Sequence, residues 1–145
     1  MSFIAAAPAT LLLVDDDCQQ LELCARILKR FGFPVLTAGS HREAISITAE
    51  HGIDIAVLDY EMPEMNGCML ADQMRALYRD IRIILYSGAL EIPRNEMTNV
   101  DIFVPKGRGA ASLVAPILQL TRVRTVSDVT PLGPCRFLQT AAESY

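Results

Sequence analysis

The chain has 145 residues, of which 51% are hydrophobic and 21% charged, and it carries a net charge of −4 at pH 7. This length fits one globular domain with a sizeable core, and the composition excludes wholesale disorder. The negative charge and scattered basic residues give no reason to expect a surface for direct nucleic-acid binding. The chain has no uninterrupted apolar run near the roughly 18 residues of a membrane span, so membrane insertion is not expected.

The cysteines and the amino terminus suggest a cytoplasmic protein. Cys18, Cys24, Cys68 and Cys135 form neither a CxxC pair nor a zinc-binding pattern with histidine, so we expect free thiols. Residues 1–9 are apolar and alanine-rich but lack the basic start of a signal peptide. We interpret them as a disordered leader before a domain at residues 10–122.

Short apolar runs alternate with segments of helical periodicity along this domain. The apolar runs predict strands at 11–14, 35–38, 53–58, 81–86 and 101–104. Asp17 is a suitable N-cap for the first helix, and Ser40 and Glu43 form a capping box for the second. A third helix is expected after Gly67, and the remaining two are expected at about 93–99 and 112–122. This alternation predicts an α/β fold with one doubly wound, five-stranded parallel sheet and about five helices.

Helical spacing also predicts which side chains face the core. The expected inward positions of the first helix are Leu21, Cys24, Ala25, Leu28 and Phe31, and those of the third are Leu70, Met74, Leu77 and Tyr78. His41 and His51, at the ends of the second helix, are expected to face solvent. Pro116 lies inside the last predicted helix. If Ser112 is the N-cap, the proline removes only one early helix hydrogen bond. Residues 123–145 lack a sustained period and are expected to form a flexible tail, with a short helical turn near 137–142.

Residues with carboxylate, hydroxyl or ammonium side chains follow four of the predicted strands. Asp15 and Asp16 follow the first strand, Asp59 follows the third, Ser87 the fourth and Lys106 the fifth. The carboxyl ends of parallel strands share one edge of a sheet, where ligands bind in open α/β folds. An acid at a strand end is often only a local cap, yet four suitable ends together are hard to explain that way.

This set of residues has a clear chemistry. Crowded carboxylates repel one another unless a cation is present, and oxygen ligands without thiol or imidazole favour Mg²⁺ or Mn²⁺. Asp59 could then attack a phosphoryl group in line, while the metal and Lys106 neutralise the phosphoryl oxygens. Ser87 could donate a hydrogen bond to the transferred group.

Over residues 10–122 the sequence resembles the receiver domain of two-component response regulators. Val14-Asp15-Asp16 looks like the acidic pair of that family, and Leu58-Asp59 with Met62-Pro63 and Asn66-Gly67 resembles its phosphoacceptor loop. Ser87 stands at the hydroxyl position and Lys106 at the essential lysine. The resemblance implies a flavodoxin-like sheet with strand order 2-1-3-4-5.

The resemblance also implies roles and partners. Asp59 would be the phosphoacceptor, and Mg²⁺ would be held by Asp15, Asp16, Asp59 and the backbone carbonyl of Glu61. Phe103 would rotate inward when Ser87 moves toward the phosphoryl group. The donor would be a histidine kinase or a histidine phosphotransfer protein, and a homodimer could form through the fourth helix, fifth strand and fifth helix. Such a protein is a switch rather than an enzyme, with only self-directed phosphotransfer and autodephosphorylation.

Gly107 and Pro116 depart from the family pattern. The family usually has proline after the lysine, joined by a cis peptide, whereas this chain has Gly107 there. Because a cis bond before a residue other than proline costs about 2.5–4 kcal/mol, we expect the Lys106–Gly107 bond to be trans. Pro116 lies in the last helix, which belongs to the usual output surface of the family, so the dimer contact implied there stays open.

Two other functions stay open beside a stand-alone receiver. In a haloacid-dehalogenase-type phosphatase, Asp15 and Asp17 would form a DxD motif, although Gln19 stands where that motif has threonine or valine. In a pseudo-receiver, the fold would act as a binding module without phosphorylation. The retained acidic residues and Lys106 favour a phosphorylated receiver.

Overall fold

The computed structural model describes residues 8–89 and 91–129, and the side chains of residues 8–89 and 91–121. It contains five strands, β1 (Leu11–Val14), β2 (Val35–Ala38), β3 (Ile55–Leu58), β4 (Arg82–Ser87) and β5 (Ile102–Pro105). Four α-helices, α1 (Cys18–Arg30), α2 (His41–Glu50), α3 (Gly67–Leu77) and α4 (Val114–Val129), lie within the described ranges. Three short 3-10 helices occur at Arg94–Glu96, Lys106–Arg108 and Ala110–Leu113.

The strands form one parallel sheet in the order β2-β1-β3-β4-β5, as expected. Alternate strand residues face opposite sides of this sheet. Leu11 and Leu13 pack with α1 and α4 in one core cluster, whereas Leu12 and Val14 pack with α2 and α3 in the other. The apolar runs are continuous because both faces of the sheet are covered.

Local signals place most helix ends as predicted. The Asp17 side chain accepts hydrogen bonds from the backbone N–H groups of Gln19 and Gln20, and it caps α1. Ser40 accepts from the Glu43 N–H at the start of α2. The Glu43 side chain completes the start of this helix by accepting from the Gly39 N–H at 2.7 Å, one residue before the expected capping-box partner.

The predicted fourth helix is wrong as an α-helix, because only the 3-10 turn Arg94–Glu96 forms there. Pro93 lacks an N–H and disfavours helical geometry in the residue before it. Ile92 before this turn, and Met97 and Val100 after it, pack against the core. This part of the chain therefore crosses from β4 to β5 as an irregular segment with one short turn.

The last helix differs from its predicted bounds at both ends. Ser112 lies within a 3-10 turn, and α4 begins at Val114, so Pro116 is its third residue. The first N–H groups of a helix have no intrahelical partner, so proline is tolerated there. The helix continues to Val129, beyond the expected end at Arg122. The rest of the predicted tail and most of the leader lie outside the described residues.

Three side chains differ from the predicted burial. Phe31 and Leu77, expected to face the core, are 56% and 54% exposed, because each lies at the end of its helix and outside the packed turns. His41 was expected to face solvent, yet its side chain is 16% exposed and its Nδ1 lies 3.8 Å from Glu64 Oε1. The three cysteines of the described region are free thiols. Within that region no helix is long and apolar enough to cross a membrane.

Candidate functional site

The sheet brings the predicted strand-end residues to one edge. The Asp15 N–H donates to the Ala38 carbonyl at 3.2 Å, and the Asp59 N–H donates to the Val14 carbonyl at 3.0 Å. These bonds continue the sheet by one residue beyond β1 and β3, so both aspartates start from fixed backbone positions. Their side chains project on the side of Leu13 and Val57, the α1 face, because side chains alternate along a strand.

Three carboxylates cluster at this edge. One oxygen each of Asp15, Asp16 and Asp59 can be chosen so that all three lie within 4.8 Å of one another. Asp15 and Asp59 are only 7% and 9% exposed, whereas Asp16 is exposed. The Asp17 N–H donates to Asp15 Oδ1 at 2.9 Å, which fixes the orientation of that carboxylate.

The ammonium of Lys106, the residue that follows β5, binds this cluster. Its Nζ donates to Asp15 Oδ2 at 2.7 Å and lies 3.5 Å from Asp59 Oδ1. Burial alone would lower the pKa of Lys106, but the hydrogen bond to Asp15 and the charge of Asp59 outweigh it, and the net pKa is raised. Lys106 therefore stays charged and offsets part of the negative charge.

One ammonium does not neutralise the whole cluster. Burial, followed by the charge of Asp15, raises the pKa of Asp59 from 3.8 to about 6, against the opposing effect of Lys106. A divalent cation would remove this penalty, and three carboxylates are hard oxygen ligands of the kind that Mg²⁺ prefers. The donor set therefore fits a Mg²⁺ site.

The two predicted switch residues lie on adjacent strands. Ser87, at the end of β4, is 1% exposed, and its Oγ accepts a hydrogen bond from the Ala89 N–H at 3.1 Å. Phe103 in β5 is 38% exposed and lines a groove of about 540 Å³ together with Ala89, Ile92 and Met97. In this structure the Phe103 ring is therefore on the surface.

The loop after Asp59 is held by a close backbone contact. A Cβ atom on Gly67 would lie 2.2 Å from the Asp59 carbonyl oxygen, so only glycine fits. The Gly67 N–H donates to the Tyr60 carbonyl at 2.9 Å, and Asn66 caps α3 by accepting from the Met69 N–H. Glu61 is exposed in this loop, which leaves its surroundings open to solvent.

The loop after Lys106 lacks the rigidity that proline would give. No peptide bond is cis in the described ranges, so the Lys106–Gly107 bond is trans, as expected. A Cβ atom on Gly107 would meet no atom within 4 Å, and Gly109 has a φ of +85°. The turn follows Pro105 and is closed by the Gly109 N–H, which donates to the Lys106 carbonyl at 2.9 Å, while the side of Gly107 that would carry a Cβ is open.

Sequence reasoning missed two tyrosines near the site. The Tyr60 hydroxyl, next to the acceptor, donates to Glu96 Oε1 at 2.7 Å and joins the acceptor loop to the 3-10 turn Arg94–Glu96. Tyr86 lies beneath Lys106, with Nζ 5.8 Å from the ring centroid. Polar tips on otherwise apolar side chains at strand ends were the available signal, but pairing them required the folded structure.

The position of Asp17 disfavours the phosphatase alternative. That function would use Asp15 and Asp17 as a catalytic pair. The Asp17 carboxylate instead caps α1, and it is not among the three carboxylates that cluster at the sheet edge. The carboxylates that cluster with Asp15 are those of Asp16 and Asp59.

Known proteins with similar sequences include response regulators and one sensor kinase, CckA of Brucella abortus, which is 40% identical over 117 residues that cover 77% of this chain and 12% of CckA. The family described as response regulator receiver domain matches residues 11–117. The transcriptional regulatory protein PrrA of Mycobacterium tuberculosis is 30% identical over 131 residues, which cover 85% of this chain and 56% of PrrA. The chain thus spans about half the length of that curated relative.

Similar solved structures lead to the same family. The response regulator TrrA of Thermotoga maritima, in complex with Mg²⁺-BeF, is 26% identical with a TM-score of 0.73, covering 77% of this chain and 98% of TrrA. TrrA in complex with the histidine kinase ThkA gives a TM-score of 0.71 at 26% identity, covering 77% of this chain and 97% of that chain. Together with the strand order and the match over residues 11–117, these findings show that the chain belongs to the response regulator receiver domain family.

Proposed function

We propose that Asp59 accepts a phosphoryl group from a histidine kinase or a histidine phosphotransfer protein, in a Mg²⁺-dependent reaction, and that the modified domain signals through its changed surface. The observation that carries this proposal is the contact of a buried Asp59 with both a carboxylate cluster and the Lys106 ammonium. The TrrA complexes with Mg²⁺-BeF and with ThkA support it by family membership.

The metal would be held by side chains of Asp15, Asp16 and Asp59, and by the backbone carbonyl of Glu61. Bound Mg²⁺, or Mn²⁺ with similar oxygen preferences, would neutralise the carboxylates and the phosphoryl oxygens. Asp16 is the exposed member of the cluster, so a hydrated ion can enter from its side.

Asp59 would act as the nucleophile. As its carboxylate oxygen forms a bond to phosphorus, the bond from phosphorus to the donor imidazole nitrogen breaks, and the electron pair of that bond stays on the nitrogen. Lys106, 3.5 Å from Asp59 Oδ1, would stabilise the charge on the phosphoryl oxygens during transfer. The product is an acyl phosphate on Asp59.

Ser87 and Phe103 would transmit the change. The Ser87 hydroxyl would leave the Ala89 N–H to donate to the phosphoryl group, and the Phe103 ring would turn inward from the groove at the surface. The surface altered in this way includes the 3-10 turn Arg94–Glu96, β5 and α4. We propose the same surface for a homodimer or a downstream protein partner.

Incubation with acetyl phosphate and Mg²⁺ tests the proposal. The wild type should gain one phosphoryl group in intact-mass spectra and shift in a phosphate-affinity gel, and it should lose both signals with EDTA. Asp59→Asn should show neither signal. Asp17→Asn is the matched control, because asparagine also caps helices and Asp17 lies outside the carboxylate cluster.

Two outcomes would contradict the proposal. One is an unmodified wild type under conditions in which a known receiver is modified. The other is equal modification of wild type and Asp59→Asn. The first would favour a pseudo-receiver, and the second would place the acceptor elsewhere.

A further inference from the structure

Tyr86 provides an aromatic surface beneath the Lys106 ammonium. Its side chain is 8% exposed in β4, and Lys106 Nζ lies 5.8 Å from the centroid of its ring. A cation within about 6 Å of a ring face is attracted by the negative face of the π system, and the attraction grows when water is excluded. The contact therefore acts on the same ammonium that binds Asp15 and Asp59.

Sheet register explains why this ring reaches the site. Tyr86 pairs with Val104, two residues before Lys106, and both belong to the core cluster on the α1 face. Asp15 and Asp59 project on that face as well, following Leu13 and Val57. The ring thus lies below the ammonium, and Asp15 holds it from the side at 2.7 Å.

The backbone around Lys106 gives this side-chain contact its weight. Lys106 opens a 3-10 turn without a side-chain cap, and Gly107 and Gly109 follow. A Cβ atom on Gly107 would meet nothing within 4 Å, so the turn presents no side chain there that could hold the ammonium. Because the ammonium lies at the end of a flexible four-carbon stem, its position depends on its side-chain partners as well as on the backbone turn.

We propose that Tyr86 is a positioning residue for phosphotransfer, whose ring holds the Lys106 ammonium against Asp15 and within reach of Asp59. This inference rests on the proposed function of Asp59 and Lys106, and it adds a residue that acts through Lys106 rather than on the phosphoryl group. Without the ring, the ammonium samples other positions and spends less time where it stabilises the transferring oxygens.

A double-mutant cycle between Tyr86 and Lys106 tests the contact itself. Tyr86→Leu removes the ring face, Tyr86→Phe keeps it, and Lys106→Met removes the charge. We expect Tyr86→Leu to lower the folding equilibrium constant about fivefold more with Lys106 present than in the Lys106→Met background, the factor for a contact of about 1 kcal/mol. Tyr86→Phe should lower the folding equilibrium constant by nearly the same factor in both backgrounds, because it keeps the ring. If Tyr86→Leu does not fold, Tyr86→Met serves the same comparison.

The rate of modification by acetyl phosphate with saturating Mg²⁺ gives a second measurement. We expect Tyr86→Leu to slow it about threefold to tenfold, Tyr86→Phe to restore most of the rate, and Tyr86→Leu to have no further effect in the Lys106→Met background. A purely structural role would slow both backgrounds equally, and that result would overturn the proposal.

The two measurements separate this inference from the proposed function. Coupling in the unfolding cycle decides whether the ring holds the ammonium even if the wild type takes up no phosphoryl group. Absence of coupling, or equal losses for Tyr86→Phe and Tyr86→Leu, would overturn the positioning role while leaving phosphorylation of Asp59 intact.

Discussion

Replacing Asp59 by asparagine should stabilise the metal-free protein at neutral and alkaline pH. Burial and the charge of Asp15 raise the pKa of Asp59 from 3.8 to about 6. Because one unit of pKa is worth about 1.4 kcal/mol, ionising Asp59 costs the folded state up to about 3 kcal/mol. Part of this cost arises from its interaction with Asp15, so we expect Asp59→Asn to raise the free energy of unfolding by about 1–3 kcal/mol near pH 8.

The sign of the pH dependence follows from the raised pKa. Between about pH 4 and about pH 6 the folded protein binds more protons at Asp59 than the unfolded chain does. The free energy of unfolding of the wild type should therefore fall as pH rises through this window, relative to Asp59→Asn. The difference between the two proteins should vanish below about pH 3, where Asp59 is protonated in both the folded and the unfolded state, and should level off above about pH 7.

Urea unfolding in EDTA, followed by circular dichroism at several pH values, measures this difference. Asp17→Asn is the control, and it should not reproduce the stabilisation. Mg²⁺ should reverse the ranking by stabilising the wild type more than Asp59→Asn, because only the wild type keeps all three carboxylates. A less stable Asp59→Asn in EDTA near pH 8 would refute the account of the site's electrostatics.

Three further predictions concern the surroundings of the site. Gly67→Ala should lower the free energy of unfolding by about 2 kcal/mol or more in urea titrations, because the new Cβ would meet the Asp59 carbonyl. Gly52→Ala is the control, since the space around Gly52 is open, and equal effects of the two substitutions would contradict the contact. Glu96→Gln should lower the pKa of Tyr60 from about 12 toward 10 in NMR titrations, since the hydrogen bond to Glu96 is the largest cause of the raised pKa. An unchanged pKa of Tyr60 would contradict that bond. Asp101→Ala should lower the free energy of unfolding by about 2 kcal/mol in the same urea assay, because the Asp101 carboxylate accepts hydrogen bonds from Arg75 and from the Ile83 N–H, each at 2.8 Å. Replacement of the exposed Asp80 by alanine is the control, and equal losses of stability would contradict this role.

The strands and the sheet topology could be predicted because their signals are local or belong to the family. Continuous apolar runs place β1 and β2 without error and the other strands within two residues. The prediction of the fourth helix was wrong because it followed from the alternation of strands and helices rather than from a periodic apolar face. The predicted burial of Phe31 and Leu77 was wrong because helical spacing alone does not show where a helix stops packing against its neighbours.

The carboxylate cluster could also be predicted, since parallel strands bring their carboxyl ends to one edge. The contacts of Tyr86 and Tyr60 could not. Tyr86 meets Lys106, twenty positions later in sequence, and Tyr60 meets Glu96 across 36 positions. Such pairs depend on side-chain direction in the folded chain, which no local sequence pattern gives.

Chemical mapping of the acceptor tests the central claim most directly. Borohydride reduces an acyl phosphate on aspartate to homoserine, so protein treated with acetyl phosphate and Mg²⁺ can be reduced, digested and sequenced by mass spectrometry. We predict homoserine at position 59 and aspartate retained at positions 15 and 16. Homoserine at Asp15 or Asp16, or at no position in a protein that has gained a phosphoryl group, would contradict the assignment of Asp59 as the acceptor.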